Sequence, residues 1–335
     1  MKSISMKWLL PARWIAAALI GAAAIAHADD NVLQGSAPIR LVIAYSAGGP
    51  ADRIARSLAQ GLTERLHRSV IVENHTGAGG ELADTLVARS TPDGATILFN
   101  SSTIAIDPVA KPNTPYNIAR DFRPVATVAS APLVVLVNPK LPVKTLGEFV
   151  DYAKANPDKL NFGSAGEGTS VYMTTEQFMR AAGVRMVHVP YRGSSQTVMA
   201  TIGNEIQFLL NPMPVALQYA KGTGQLRALA VTTAKRSRFW PDMPSIAESG
   251  VPGLKGFDAS IWWQMLVPSR TLDAVVNKLN AEVLAVLHTP QMEQQLREQG
   301  MEATSDTAAQ AKERLLSEID RWTQLVKSTG IKLSN

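Results

Sequence analysis

The hydrophobic and polar positions of this chain follow one repeating order: a short apolar run, a polar turn and then a helical pattern. The first instance is the segment from Ile39 to Arg56, IRLVIAYSAGGPADRIAR. Its apolar run, from Ile39 to Ala44, contains a single charge and predicts a strand that is buried on both faces. A period of 3.6 residues begins after Pro50 and predicts a helix. Together these features predict half of a βαβ unit.

The turn between this strand and this helix is suited to an anion. The main-chain N–H groups at a helix start have no helical partner, and the positive end of the helix dipole lies behind them. Gly48 and Gly49 would let a ligand approach the backbone, because neither has a Cβ. A tight turn that binds nothing would have the same sequence, so the rest of the chain must decide.

The same order recurs along the chain and predicts an α/β protein. Strands that alternate with helices predict a parallel sheet with right-handed connections, and ligands bind such sheets at the carboxyl ends of the strands. Further strands are predicted at 69–73, 95–99, 133–137, 159–162, 186–189, 206–210, 227–232 and 257–268.

Two α/β domains with a central cleft are predicted. The segment 133–137 lies between Pro132 and Pro139 and is interpreted as a crossing between domains, and 257–268 is interpreted as the return strand. Three amphipathic, charged helices follow and are expected to cover the outside of the first domain. The first domain would therefore be discontinuous. The predicted bounds are 37–136 with 257–335 for the first domain, 137–256 for the inserted domain, and about 272–287, 290–299 and 307–329 for the three helices.

Composition changes this picture at the N-terminus. The chain has 335 residues and a formal net charge of +5, which suggests a nucleic-acid partner. However, Lys2, Lys7 and Arg13 flank an apolar stretch that ends in Ala26-His27-Ala28, the pattern of a secretory signal peptide with cleavage after Ala28. Without these three cations, 30 Lys and Arg face 28 Asp and Glu, a net of +2. No basic patch then supports a nucleic-acid partner.

The rest of the composition predicts a soluble protein outside the cytoplasm. The chain has no cysteine, which excludes a disulfide scaffold and a lipid-anchored cysteine after the signal peptide. No later stretch reaches the roughly 18 apolar residues of a membrane span. Hydrophobic residues make up 46% and charged residues 18% of the chain, as in ordinary globular proteins.

Two turns in different halves of the chain have the same chemistry. YSAGGPAD and GSAGEGTS each follow a strand and open a helix, and each combines glycine with hydroxyl groups. Main-chain N–H and hydroxyl groups can bind a carboxylate without a buried arginine. Either turn alone could merely cap a helix, but two such turns that face each other favour binding.

A third turn, YRGSS, and the end of the strand 95–99 add further candidates. Arg192 could reach an anion or pair with a surface acid, and Tyr45 could form the wall or only the rim of a pocket. Asp52 could contact a ligand, but its place in the first helical turn favours capping. The predicted ligand-binding residues are Tyr45, Ser46, Ala47, Gly48, Gly49, Asp52, Ser101, Ser102, Ser164, Ala165, Gly166, Thr169, Ser170, Tyr191, Arg192, Gly193 and Ser194.

Patterns of catalytic or metal-binding residues are mostly missing. The five histidines have no metal-ligand spacing, and His188, within an apolar run, is more typical of a core histidine than of a base. The chain contains no GxSxG, no GxxxxGK[ST] and no HExxH. We therefore expect no catalytic residues, no metal and no cofactor.

The sequence resembles the Bug family, the extracytoplasmic solute receptors of tripartite tricarboxylate transporters. The matching segments occur in order through nearly all of the expected mature chain. They are YSAGGPADRIAR, VIVENHTGAGG, PDGATILFNSS, LNFGSAGEGTS, HVPYRGSSQ, LRALAVT, PDMPSIAESGVPG and DRW at Trp322.

The resemblance implies a type II periplasmic binding fold with a Venus-flytrap cleft, no catalysis, and delivery of the ligand by a monomer to membrane subunits. It also implies that a ligand carboxylate is held, partly through ordered water, by Tyr45 to Gly49, Ser164 to Gly166, Ser170, and Tyr191 to Ser194.

The sequence departs from the family pattern at several positions. The resemblance therefore does not determine the distal half of the pocket or the identity of the ligand. His75 and Thr76 replace a common arginine and proline, Gln264 replaces a common glycine, and NPMP at 211–214 has no evident counterpart.

The leading hypothesis is a periplasmic receptor for a small organic acid, a mono- or dicarboxylate with aromatic acids included. One alternative is a secreted α/β enzyme that uses His188 or Asp52 as a base on an anionic substrate. Another is a ligand-sensing module for a signalling partner.

Overall fold

Strands and helices alternate along the computed structural model, which describes residue 33 and residues 35–329. The expected signal peptide, residues 1–28, lies outside the described residues. The strands are β1 (Ile39–Ile43), β2 (Val70–Asn74), β3 (Thr96–Ser101), β4 (Phe122–Val137), β5 (Asn161–Ser164), β6 (Val187–Pro190), β7 (Phe208–Pro212), β8 (Arg227–Val231), β9 (Ser260–Pro268) and β10 (Glu302–Ala303). The helices are α1 (Pro50–Leu66), α2 (Glu81–Ala88), α3 (Asp107–Ala110), α4 (Ile118–Asp121), α5 (Leu146–Ala155), α6 (Ser170–Ala182), α7 (Ser194–Gly203), α8 (Met213–Ala216), α9 (Asp273–Leu287), α10 (Pro290–Glu298) and α11 (Ala308–Thr329). The predicted α/β alternation is confirmed.

The sheet is mixed, and the prediction of a parallel sheet is correct for only part of it. Strand β1 runs parallel to β2 and β3, and β5 runs parallel to β6 and β7. Strand β9 is antiparallel to both β3 and β4. The reason is topological, because the chain leaves the first half of the molecule in β4 and returns in β9. The strand order is β2-β1-β3-β9-β4-β7-β5-β6, with β8 and β10 also paired to β4.

Strand β4 connects the two halves of the sheet. It pairs with β9 as far as Pro132 and with β7 and β8 from Leu133 onward. Thr232 joins this crossing to the return strand, because its N–H donates to Leu133 O at 2.9 Å and its hydroxyl donates to Ala259 O at 2.7 Å. The expected domain boundary between residues 136 and 137 falls at the far end of β4.

Apolar side chains cover both faces of the sheet. Along β1, Leu41 and Ile43 pack in one hydrophobic cluster, and Val42 packs in the other. The burial of β1 on both faces, which its apolar run predicts, is confirmed. Its one charged side chain, Arg40, donates to both carboxylate oxygens of Glu73 on β2, at 2.8 and 2.7 Å.

The C-terminal helices pack on the half of the sheet that contains β1. Helix α9 contacts α1 and β4, and α11 contacts β4 and α3. The buried Gln264 on β9 donates from Nε2 to Ala311 O at 2.8 Å, so this side chain attaches α11 to the sheet. Among the described helices, none has both the length and the apolar character needed to cross a lipid bilayer.

Candidate functional site

Two adjoining cavities lie where the turns after β1, β5 and β6 come together. The first cavity has a volume of about 70 Å³ and the second about 370 Å³, and both are lined by Tyr45, Ala165 and Thr169. The other residues of the first cavity are Ser46, Gly49, Pro50, Ala51, Ser101, Thr103, Ser164, Ser170, Val171, Ser194, Thr197, Leu209, Asn211, Pro212, Ile261 and Trp263. Those of the second cavity are Ala44, Gly77, Ala78, Gly79, Gly80, Gly166, Glu167, Pro190, Tyr191 and Arg192.

The first turn, Tyr45 to Gly49, contributes both lining residues and structural residues. Gly48 adopts a φ of +80°, which favours glycine, and its N–H donates to Asp52 Oδ2 at 3.0 Å. Asp52 also accepts from Asn74 Nδ2 and from Arg56 Nε, both at 3.0 Å. Ala47, Gly48 and Asp52 line neither cavity. The N–H of Gly48 and the carboxylate of Asp52 therefore stabilise the turn instead of facing the cleft.

Asp52 is ionised in this setting. Burial alone would raise the pKa of its carboxyl, but hydrogen bonds from Arg56, Gly48 and Asn74 outweigh this effect, so the pKa is lowered. A carboxylate with these three donors has the capping role that the sequence favours for this position, and it does not have the raised pKa of a general base.

Tyr45 forms part of the wall of both cavities. Its hydroxyl donates to Asn100 Oδ1 at 3.0 Å and lies 2.6 Å from Ser101 Oγ. Burial raises the pKa of Tyr45 to about 12, so the phenol stays neutral. Ser102, the residue after Ser101, lines neither cavity. Its buried hydroxyl has no hydrogen-bond partner among the described residues.

Thr103 and Ser170 connect the end of β3 to the start of α6. Ser170 N–H donates to Thr103 Oγ1 at 3.1 Å, and the two hydroxyl oxygens lie 3.0 Å apart. Both residues line the first cavity. Thr103 is absent from the sequence-based set, although its position in the hydroxyl run Ser101-Ser102-Thr103 is a signal that could have found it.

The second turn, Ser164 to Ser170, is held in place by its own hydroxyl groups. Ser164 Oγ accepts from Gly166 N–H at 3.0 Å and lies 2.8 Å from His188 Nε2. Thr169 donates to Gly166 O at 2.7 Å and accepts the N–H of Tyr172 at the start of α6. Ser164, Ala165, Thr169 and Ser170 line the first cavity, and Gly166 lines the second.

His188 packs against aromatic rings and is not part of the lining of either cavity. Its ring centroid lies 5.0 Å from that of Phe162 and 4.7 Å from that of Tyr172. Burial lowers the pKa of His188, although Glu167 opposes this shift. The ring is therefore neutral near pH 7 and helps to orient Ser164.

The third turn, Tyr191 to Ser195, lies directly opposite the first. A Cβ added at Gly193 would lie 2.5 Å from Ser46 Oγ, and one added at Gly48 would lie 4.0 Å from Ser195 Oγ. Ser194 lines the first cavity, whereas Tyr191 and Arg192 line the second. The close approach of the first and third turns thus depends on the missing side chain of Gly193.

Strand residues complete the first cavity, and the sequence did not identify them as ligand-binding. Asn211 on β7 is 2% exposed and accepts from Ser194 Oγ at 2.7 Å. Ile261 and Trp263, at alternate positions of β9, also line this cavity. The missed residues of the first cavity are Pro50, Ala51, Thr103, Val171, Thr197, Leu209, Asn211, Pro212, Ile261 and Trp263.

The two cavities differ in charge. The residues of the first cavity include no Asp, Glu, Lys, Arg or His, so its polar groups are hydroxyls, one carboxamide, the indole N–H of Trp263 and main-chain groups. The second cavity contains Glu167 and Arg192. In the described part of the chain, no group of three or more His, Asp and Glu residues is arranged to hold a metal ion.

Comparison with known proteins identifies similar chains. The family model described as "Tripartite tricarboxylate transporter family receptor" matches residues 54–331. Protein BugT of Bordetella pertussis is 32% identical over 332 residues, which cover 98% of this chain and 100% of BugT.

Two solved structures from Rhodopseudomonas palustris have the same fold. Rpa4515 with adipate superposes with a TM-score of 0.83 at 30% identity and covers 89% of this chain and 98% of its own. MatC with bound malate superposes with a TM-score of 0.80 at 28% identity and covers 86% of this chain and 98% of its own.

Proposed function

Because this chain belongs to the tripartite tricarboxylate transporter receptor family, which includes the Bug proteins, we propose that it captures a small organic acid and delivers it to the membrane subunits of such a transporter. Members of this family are periplasmic solute-binding receptors and not enzymes. The fold is that of a two-domain periplasmic binding protein. The identity of the acid, the residues that bind it and the membrane partner are the new parts of the proposal.

The observation that carries the proposal is the chemistry of the first cavity. Its lining has helix starts from both halves of the molecule and hydroxyl groups, but no charged side chain. N–H groups at a helix start attract an anion through their hydrogen bonds and the helix dipole. Neutral donors of this kind hold a carboxylate without a buried counter-charge, which suits a receptor that must also release it.

A count of the N–H groups shows which of them remain for a ligand. In α1, Pro50 has no N–H and Arg53 N–H donates to Gly49 O, so the N–H groups of Ala51 and Asp52 have no helical partner, and only Ala51 of the two lines the first cavity. In α6, Thr103 accepts the N–H of Ser170 and Thr169 accepts that of Tyr172, so the N–H of Val171 is left. We propose that Ala51 and Val171, which both line the first cavity, donate to one ligand carboxylate.

Asn211 supplies a further donor from the opposite wall. Its Oδ1 accepts from Ser194, so the two N–H bonds of Nδ2 are available to an acceptor in the cavity. Because the side chain is 2% exposed, an amide without an acceptor there would be costly. A ligand oxygen would satisfy it.

The shape of the cleft supports a carboxylic acid with an apolar body. We propose that the first cavity holds one carboxylate and that the rest of the ligand extends along Trp263 and Ile261 and into the second cavity. The relatives bind adipate and malate, which are both dicarboxylates. Arg192 in the second cavity would then lie near the distal group.

The proposed mechanism is closure of two domains on the ligand. The domains are residues 37–136 with 257–335, and residues 137–256. The contacts between Thr103 and Ser170 and between Ser46 and Gly193 join the two sides and would form on closure. The closed form would then dock on the membrane subunits as a monomer. We expect the mature protein to begin after Ala28 and to reside in the periplasm.

A thermal-shift screen tests the proposal. The purified mature protein would be heated with adipate, malate, succinate and benzoate, and adipamide would serve as the uncharged match for adipate. We expect at least one acid to raise the melting temperature and adipamide to leave it unchanged, because only a bound ligand shifts the folding equilibrium. If no organic acid raises it, or if an acid is chemically converted, the proposal is wrong.

A further inference from the structure

Two buried carboxyl groups lie directly behind the wall of the second cavity. Asp84 on α2 is 0% exposed and Asp107 on α3 is 1% exposed. The hydroxyl of Tyr116 lies between them, 3.2 Å from Asp84 Oδ2 and 2.8 Å from Asp107 Oδ2. One cation accompanies the pair, because Lys111 Nζ lies 3.0 Å from Asp107 Oδ1.

In the cluster of Asp84, Tyr116 and Asp107, every hydrogen bond has a donor only if one of the two acids carries a proton. Tyr116 has a single hydroxyl proton, which cannot serve both carboxylates. Burial raises the pKa of Tyr116, so its hydroxyl does not ionise. If Asp84 is protonated on Oδ2, it donates to Tyr116, and Tyr116 then donates to Asp107. Lys111 neutralises Asp107, and no unpaired charge remains in the interior.

The proton belongs on Asp84 because its other hydrogen-bond partner is a neutral amide, whereas Asp107 has a cation beside it. Asp84 Oδ1 accepts from the neutral amide of Asn100 at 2.8 Å, whereas Asp107 is paired with Lys111. Burial raises the pKa of Asp84 well above its ordinary value, and the charge of Asp107 adds to this effect.

The other elements that pack against α2 do not supply a compensating charge. Strand β9 contains no titratable residue, and Arg40 on β1 is paired with Glu73. Tyr45, which follows β1, has a neutral hydroxyl that donates to Asn100. Lys111 on the side of α3 is therefore the cation that faces the pair.

The pair is coupled to the cleft through short contacts. Asn100 Oδ1 accepts from Tyr45, which lines both cavities, and Lys111 donates to Gly79 O at 2.9 Å. A Cβ added at Gly80, another residue of the second cavity, would lie 3.6 Å from Asp84 Oδ2. An ionised Asp84 would thus place a negative charge directly behind the second cavity, where the distal carboxylate of a dicarboxylate would lie.

We propose that Asp84 is protonated in the folded protein near pH 7, as the donor to Tyr116, and that loss of this proton weakens the binding of carboxylates. The second part rests on the proposed function. The pair thereby sets an upper pH limit for the receptor through the repulsion between a buried carboxylate and an anionic ligand.

Asp84→Asn tests the proton without any ligand. An asparagine can accept from Asn100 and donate to Tyr116, so it reproduces the hydrogen bonds of the protonated acid. From about pH 5 to about pH 7, the folded wild type retains a proton that an unfolded Asp84 releases, so its stability falls as pH rises. We expect the unfolding equilibrium constant of wild type, relative to Asp84→Asn, to rise up to ~tenfold per pH unit until the pH reaches the folded pKa. If the unfolding equilibrium constants of the two proteins change in parallel with pH, the proposal is wrong.

Two further measurements locate the proton. The infrared band of a protonated carboxyl should be present in wild type near pH 7 and absent in Asp84→Asn. Asp107→Asn is the matched variant, and it should be less stable than Asp84→Asn because Lys111 loses its partner. If Asp107→Asn is the more stable variant, or if the band persists in Asp84→Asn, the assignment to Asp84 is wrong.

The effect on binding is measured by titration with adipate and with malate at increasing pH. We expect the affinity of wild type to fall above the pH at which the infrared band disappears, and that of Asp84→Asn to stay level. Equal pH profiles would overturn the second part. If neither acid binds at any pH, the second part fails for these acids, the thermal-shift screen decides the proposed function separately, and the stability and infrared results still decide the first part.

Discussion

At the scale of the residue, the proposed anion site relies on neutral groups in place of a charged side chain. Tyr45, whose hydroxyl donates to Asn100, keeps its proton because burial raises its pKa to about 12, and the amide protons of Asn211 have no acceptor among the described residues. A buried donor contributes modestly to stability when it has an acceptor, but it costs about 1–3 kcal/mol of stability when it has none. The ligand is therefore expected to complete the hydrogen bonds of the cavity.

Replacement of Asn211 by leucine tests this expectation. Asn211→Leu keeps approximately the same volume but removes the amide donor and leaves Ser194 without its acceptor. We expect the affinity for the acid found in the screen to fall by about 10- to 100-fold, equivalent to roughly 1.4–2.8 kcal/mol. Titration calorimetry would measure the affinity, with Asn113→Leu at an exposed site as the control. Unchanged affinity would exclude Asn211 from the site.

The sequence predicted some residues of the first cavity and missed others for a clear physical reason. Glycine and serine in the turns stand out because they interrupt apolar patterns. Asn211 and Trp263 lie within strands, where a side chain that faces a cavity occupies the same position as one that faces the core. Only the pairing of β7 and β9 with β4 shows which strand positions point into the cleft.

At the scale of the element, the site depends on how closely turns from different strands approach. The φ of Gly193 is 164°, an extended conformation that any residue can adopt, so glycine is required here by lack of space and not by backbone strain. The nearest atom to an added Cβ is Ser46 Oγ in the opposite turn, at 2.5 Å.

Gly193→Ala should therefore separate the first and third turns. We expect at least a tenfold loss of affinity with little change in melting temperature, because the added methyl group meets the opposite side of the cleft and not the core. Gly203→Ala, at the far end of the helix that Gly193 precedes, is a control, because no atom lies within 4 Å of its added Cβ. That control should leave the affinity unchanged. Equal affinities for the two variants would contradict the assigned role of Gly193.

The order of elements was easier to predict than their arrangement. The strand-turn-helix pattern correctly predicted that β1, β2 and β3 run parallel, because helical crossovers join parallel strands. The antiparallel position of β9 between β3 and β4 depends on contacts between distant segments. No local pattern specifies that position.

At the scale of the whole molecule, strand β4 and the segment that precedes β9 connect the halves of the sheet, and a cleft lies beside them. Strand β4 is continuous over 16 residues and changes partners at Pro132 and Leu133. Thr232 ties this crossing to the segment that precedes β9. Motion between the halves must therefore bend β4 and the segment that precedes β9 together, which favours a hinge that opens and closes the cleft over independent motion of two domains.

The most direct test of the account is a crystal structure of the mature protein with the acid that gives the largest thermal shift. We predict that one carboxylate lies in the first cavity, where it accepts from the N–H groups of Ala51 and Val171 directly or through one ordered water. The side chains of Ser170 and Asn211 should lie within hydrogen-bond distance. A carboxylate that is instead paired only with Arg192, or that binds outside the cleft, would contradict the account.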